Sequence, residues 1–339
     1  MALYPIVFHP IFKERVWGGR ALERLYRKPL PPSAPIGESW EVSDRPGDES
    51  VIANGPLAGR TLRWLMDAHG PELLGAAATA IGGRFPLLCK ILDAREKLSL
   101  QVHPPARAAH LGDPKTEMWY IAAAEPGAEL FVGLKRGITR QAFEAAIREG
   151  RVADCFHRVA VRAGDTMFLP SGRVHAIGAG LVIFEIQQNS DTTFRVYDWD
   201  RAGLDGKPRA LHIEESLASI DFDDVEPSLA GDDSITDDVF RRRPLVRDAL
   251  FQADLIEASD AGALPFESDI VRVIAVTDGA VGVEGSGVSV TVRAGNFAVV
   301  PAATRDAEIT AGRGARFLVI EPGMSGQVEA SCGRERGRV

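Results

Sequence analysis

Short extended runs, rich in β-branched and aromatic residues and bounded by Gly, Pro or Asp, dominate the hydrophobic pattern of the chain. They predict strands over 118–121, 129–132, 166–169 and 181–187. The pattern recurs between 269 and 321, with strands expected over 271–276, 280–284, 288–292, 297–300 and 317–320 and turns at Asp278-Gly279 and Ala294-Gly295. Two segments carry a helical period instead. Over 59–74, Leu62, Leu65, Met66, His69 and Leu73 recur on one face; over 139–150, Thr139 caps a helix that turns Phe143, Ala146 and Ile147 inward and closes at Gly150. A mainly β fold follows, with strands spaced as in two jelly-roll barrels and a few helices added. The expected domains are 1–214, 215–322 and a polar, Gly-rich, basic tail over 323–339 that is expected to be mobile.

A length of 339 residues with 45% hydrophobic positions supports two cores. The net charge of -8 excludes the broad basic field of a nucleic-acid binder, so an anionic partner has to be met by a local group of Lys and Arg. Cys89, Cys155 and Cys332 form neither a disulfide framework nor a CxxC motif, which points to a reducing cytoplasm. No leader-like N-terminus and no apolar run of membrane-spanning length is present, so a cytoplasmic chain with no membrane partner is expected. The acidic residues between Asp221 and Asp238 read as a solvated surface connection.

Candidate chemistry is concentrated in two places. In Gly164-x5-Pro170-x-Gly172-x2-His175 a strand ends at a tight turn that hands a histidine to the next strand, the spacing of the second half-motif of a cupin-type barrel. Upstream, Gln101 and His103 stand at i and i+2, on one face of a strand, and Glu117 heads the strand that follows. Two imidazoles, a carboxylate and an amide oxygen suit one Zn²⁺ per chain, with Mn²⁺, Fe²⁺ or Co²⁺ also compatible. His9, His69, His110, His157 and His212 have no partner at ligand spacing.

The segments Val16-Trp17-Gly18-Gly19, 37–43 (Gly-Glu-Ser-Trp-Glu-Val-Ser), 97–104 (Lys-Leu-Ser-Leu-Gln-Val-His-Pro), 115–120 (Lys-Thr-Glu-Met-Trp-Tyr) and 170–201 together resemble the class I mannose-6-phosphate isomerases in their short bacterial form. The resemblance implies an aldose–ketose isomerase acting on a small sugar phosphate, with zinc on Gln101, His103, Glu117 and His175. It also implies an active-site arginine at Arg195, a lysine at Lys115, a glutamate at Glu185 and a cation near the phosphate at Arg201. Pro105, Ala106 and Arg107 stand where relatives commonly carry acidic residues, which brings substrate preference into question.

Interconverting an aldose and a ketose moves a proton between C1 and C2 through an enediol, which calls for a Lewis acid and a proton carrier. Glu185 is the candidate carrier, Lys115 a hydrogen-bonding or proton-passing group whose pKa a nearby cation would lower, and Arg195 a fork for phosphate or enediolate. Asp191 is a candidate for orienting Arg195 or contributing to proton transfer, and Ser99 with Lys97 for anchoring phosphate. Competing readings are a cupin isomerase of another or unphosphorylated aldose and a non-catalytic sugar-binding cupin. Oligomeric state has no signature in the sequence.

Overall fold

The computed structural model describes residues 2–324 apart from Asp238 and Ser268, with the backbone alone of Ile81. The tail expected over 323–339 therefore lies, from 325 onward, outside the described residues, as does Cys332. The described residues divide into two compact units, one formed by 12–39 and 90–230, the other by the residues up to 11, 40–89 and those from 231 to 324. Each contains a larger and a smaller β-sheet, the mainly β architecture expected.

A six-stranded sheet, most of whose residues belong to the first unit, runs in the order Thr166–Leu169, Glu117–Ala124, Leu181–Gln188, Leu87–Ala94, Ile36–Val42, Ile11–Gly19. A five-stranded sheet runs Phe156–Ala160, Glu129–Leu134, His175–Ile177, Leu100–Val102, Phe194–Tyr197. Alternation sends Leu92, Trp119, Ile121, Met167, Leu181 and Ile183 from the first sheet and Leu130, Val132 and Ile177 from the second into one shared core. The outer face of the smaller sheet, with Leu100, Val102, Ala176 and Val196, is covered by Phe143 and Ala146 of the Arg140–Arg148 helix. Thr139 accepts from Ala142 N at that helix's start, and Gly150 beyond its end has φ +69°.

The second unit repeats the plan: Ile256, Ile274, Val276 and Phe317 of a seven-stranded sheet pack on Val281, Val283, Val292 and Ile309 of a four-stranded one. Its Leu62–Leu74 helix is capped by Thr61 and buries Leu62, Leu65, Met66 and Leu73. His69, expected on that buried stripe, is half-exposed at a kink two residues before Pro71, which cannot donate to the helical ladder.

The division of the chain differs from the contiguous one expected. Leu217, Ile220 and Phe222 pack beneath the smaller sheet of the first unit, so that unit extends past 214 to 230. Residues 1–11 and 40–89 join the second unit instead of the first. Within the acidic stretch Asp224 is not simply solvated, because it grips Arg173 through both carboxylate oxygens at 2.7 and 2.8 Å.

Candidate metal centre and active site

The smaller sheet of the first unit aligns three of the expected residues on neighbouring strands: Gln101 is paired with His175 on one side and Arg195 on the other. His103 follows that strand. Its carbonyl accepts from Gly172 N at 2.9 Å, so the turn that delivers His175 also pins His103. In that turn Arg173 N donates to Pro170 O at 3.1 Å and Gly172 has φ +92°, the left-handed geometry that favours glycine. Glu117 opens a strand of the larger sheet.

His103 Nδ1 lies 2.8 Å from Thr192 O and His175 Nδ1 lies 2.9 Å from Arg173 O. Carbonyls only accept, so each Nδ1 carries the proton and each Nε2 presents a lone pair to the interior. Those Nε2 atoms are 3.4 and 3.6 Å from the two carboxylate oxygens of Glu117. Gln101 completes the group, its amide nitrogen 3.3 Å from His175 Nε2 and its oxygen accepting from Ser99 Oγ at 3.0 Å. Turning that amide over would present its oxygen to the same point.

His103 Nε2 and Glu117 Oε1 are buried with no hydrogen-bond partner among the described residues. Such an atom ordinarily costs about 1–3 kcal/mol, a cost that a shared cation removes. Burial lowers the pKa of both imidazoles, that of His175 to about 3, aided by the neighbouring His103. Burial opposes ionisation of Glu117, but Lys115 and the imidazoles outweigh it and hold the carboxyl well below its usual range. The donors thus stand in the protonation states that bind a metal, and the site fits one.

A cavity of about 560 Å³ adjoins this cluster, lined in part by Lys90, Ser99, Gln101, Lys115, Glu185 and Arg195. Glu185 is buried. Its Oε2 accepts from Trp119 Nε1 at 2.9 Å, and its Oε1 lies 3.5 Å from Lys90 Nζ and 3.9 Å from Lys115 Nζ. Burial, with the charge of Glu117 adding to it, raises the Glu185 pKa above the ordinary carboxylate value. Burial works to lower the pKa of Lys115, yet Glu117, 2.8 Å away, and Glu185 outweigh it and hold the ammonium above its ordinary value.

The cavity therefore gathers Arg195, Glu185, Lys115, Ser99 and Asp191 beside the ligand cluster. Asp191 lies 3.8 Å from Lys90, whereas the hydrogen bonds of Arg195 go to Ser99 Oγ and Ala210 O. Asp191 thus pairs with a lysine and does not orient Arg195. Lys97 and Arg201 do not line the cavity: the Lys97 ammonium sits 4.5 Å above the Trp199 ring, and Arg201 is held by Asp198 at 2.9 Å. Lys90 was missed by the sequence reading, although a lone charge inside the apolar run Leu87-Leu-Cys-Lys-Ile-Leu is a signal of a buried functional cation. Trp119 gave no such signal, because its indole bond to Glu185 exists only once two strands pair.

A family model described as phosphomannose isomerase type I, catalytic domain, matches residues 6–145. The probable mannose-6-phosphate isomerase GmuF of Bacillus subtilis is 41% identical over 227 residues, covering 66% of this chain and 70% of that protein. Mannose-6-phosphate isomerase ManA of the same organism is 41% identical over 229 residues with the same coverage. The chain belongs to the type I mannose-6-phosphate isomerase family. The crystal structure of the Bacillus subtilis mannose 6-phosphate isomerase superposes with a TM-score of 0.85 at 29% identity, over 94% of this chain and 99% of that one.

Two sequence features that carried the resemblance to mannose-6-phosphate isomerases acquire a physical reason. A Cβ on Gly18 would fall 2.4 Å from Gly37 N, and one on Gly37 2.6 Å from Trp17 and Arg15, so the paired glycines let two strands approach closely. That approach sets Arg15 on Glu38, with Nε to Oε1 at 2.9 Å. Arg107, a departure from the common family pattern, donates to the carbonyls of Ala218, Ser219 and Ile220 at the end of the Ile213–Ser219 helix and does not line the cavity.

Proposed function

We propose that the chain interconverts mannose 6-phosphate and fructose 6-phosphate in the cytoplasm, with a divalent ion, zinc in the first instance, held by Gln101, His103, Glu117 and His175. The observation that carries this reading is the convergence of two imidazole lone pairs on a buried carboxylate at 3.4 and 3.6 Å, beside a cavity that also presents a carboxylate between two lysines. Bound there, the ion would supply Lewis-acid stabilisation of the negative charge that develops on the sugar's oxygens as a proton leaves carbon.

In this proposal Glu185 takes the proton from C2 of the aldose and returns it to C1, while the proton of the C2 hydroxyl passes to the C1 oxygen. Its raised pKa suits a group that must both accept and release a proton near neutral pH. Lys115, kept protonated by its carboxylate neighbours, donates to a substrate hydroxyl. Lys90, within 4.0 Å of Glu38, Glu185 and Asp191, holds the Glu185 carboxylate in place and limits its repulsion from Glu117. Arg195 offers its planar fork to the phosphate.

The test is to strip the protein with a chelator, restore Zn²⁺, and follow turnover of mannose 6-phosphate beside free mannose. Zinc-dependent turnover of the phosphate ester, strongly preferred over the free sugar, is expected. Turnover of free mannose alone would discard the phosphate assignment, and tight zinc binding without turnover of either sugar would discard the isomerase reading.

A further inference from the structure

The acidic segment that follows the Ile213–Ser219 helix is strapped across the turn that delivers His175. Asp221 N donates to Gly172 O at 2.9 Å, Leu134 N donates to Asp224 O at 3.1 Å, and Glu226 N donates back to Leu134 O at 2.9 Å. Leu134 ends the strand Glu129–Leu134, whose Val132 is paired with His175. The strap is therefore anchored to the turn on one side and to the strand beside His175 on the other.

From that anchored backbone the Asp224 carboxylate reaches Arg173, two residues before His175. The two side chains are only 16% and 15% exposed, and Arg173 Nε and Nη2 donate to separate carboxylate oxygens at 2.8 and 2.7 Å. The third nitrogen, Nη1, donates at 2.7 Å to Phe168 O, on the strand that enters the turn. A two-pronged pair withdrawn from solvent holds its geometry where an exposed salt bridge does not. Arg173 thus ties the entry of the turn to the strap across it.

What this clamp steadies is the backbone of Arg173. Its carbonyl accepts from His175 Nδ1 at 2.9 Å, the bond that sets the tautomer and the direction of the ring. The peptides on either side are also engaged, Arg173 N donating to Pro170 O at 3.1 Å and Gly133 N to Val174 O at 2.8 Å. Because Gly172 N donates to His103 O, the same turn stands behind both imidazoles.

We infer that Asp224 is a positioning residue of the metal centre, which by clamping Arg173 fixes the carbonyl that aims His175. The inference rests on the metal reading above. A carboxylate commonly orients a metal-bound histidine by direct contact; here a peptide carbonyl makes that contact and the carboxylate stands one step behind it.

The test is the Zn²⁺ affinity of the full chain, measured by competition with a chromophoric chelator at a temperature where circular dichroism shows each variant folded. Asp224→Asn, which keeps the shape of the side chain and removes its charge, is expected to weaken zinc binding about tenfold. Arg173→Ala separates positioning from simple charge. Removing a cation near a bound cation would by Coulomb's law alone tighten zinc, whereas loss of the clamp weakens it by about as much as Asp224→Asn. The double variant is expected to bind no more weakly than Arg173→Ala, because the two residues act as one clamp. Arg173→Lys, which keeps the charge without the fork, is expected to fall between native and Arg173→Ala. Native zinc affinity in folded Asp224→Asn and Arg173→Lys, or tighter binding in Arg173→Ala, would overturn the inference and leave the metal centre standing. Failure of the native chain to bind zinc would overturn the metal centre and the inference together.

Discussion

Trp119→Phe isolates the one neutral hydrogen bond that reaches Glu185 among the described residues. The substitution keeps an aromatic ring in the core and removes the N–H that donates to Glu185 Oε2 at 2.9 Å. A hydrogen bond to a charged group contributes about 1.5–3 kcal/mol. Because it stabilises the ionised carboxylate over the neutral one, its loss raises the Glu185 pKa, by about 1–2 units at 1.36 kcal/mol per unit. In the proposed reaction the free enzyme needs Glu185 ionised, so a raised pKa moves the acid limb of kcat/KM against pH upward by that amount. The assay is the pH–rate profile of zinc-loaded native and variant enzyme between pH 5 and 9, with zinc content measured first, since Trp119 also sits edge-on to His175 at 5.3 Å. An acid limb that does not move in a variant with full zinc occupancy would refute the assignment of Glu185 as the proton carrier.

Three further outcomes follow from the same geometry. In chelator, His175 keeps its neutral form in the folded state down to about pH 3 but takes up a proton near pH 6.5 when unfolded, so the unfolded state binds more protons between those values and stability is lost as pH falls through that window. Between pH 7.5 and 5.0 the loss from this residue is about 2 kcal/mol, His103 adds to it with the same sign, and urea unfolding of His175→Gln has a correspondingly shallower pH dependence. Gly37→Ala drives a methyl to within 2.6 Å of Trp17 and Arg15 and is expected to destabilise the protein by about 1–3 kcal/mol, read as a lowered thermal midpoint. Arg107→Ala removes donors from three helix-terminal carbonyls and is expected to cost about 1–2 kcal/mol in urea unfolding while leaving kcat/KM within twofold of native.

The ligand cluster was legible because it is written in local spacing: Gln101 and His103 share a strand face, and the turn from Pro170 to Gly172 fixes where His175 emerges. Strand pairs that lie close in sequence, such as Ala280–Gly285 with Val288–Arg293, were legible for the same reason. What escaped depends on pairing across distance. The run Phe240–Arg247 carries four arginines and was not among the expected strands, yet it forms one because Asp254, on the paired strand Phe251–Ala258, neutralises Arg242 and Arg247. Residues 215–230 were placed with the second barrel because nothing in their own period says that Ile220 and Phe222 pack backward onto the first unit's sheet. Lys97 and Arg201 were misplaced for a related reason: a cation near a motif says nothing of whether Trp199 or Asp198 claims it first.

The most direct test of the central claim couples metal stoichiometry to turnover. Chelated protein titrated with Zn²⁺ is predicted to bind one ion per chain and to recover conversion of mannose 6-phosphate to fructose 6-phosphate in proportion to occupancy, with both lost in His103→Ala. Full activity in the chelated protein, or undiminished activity in His103→Ala, would contradict the account.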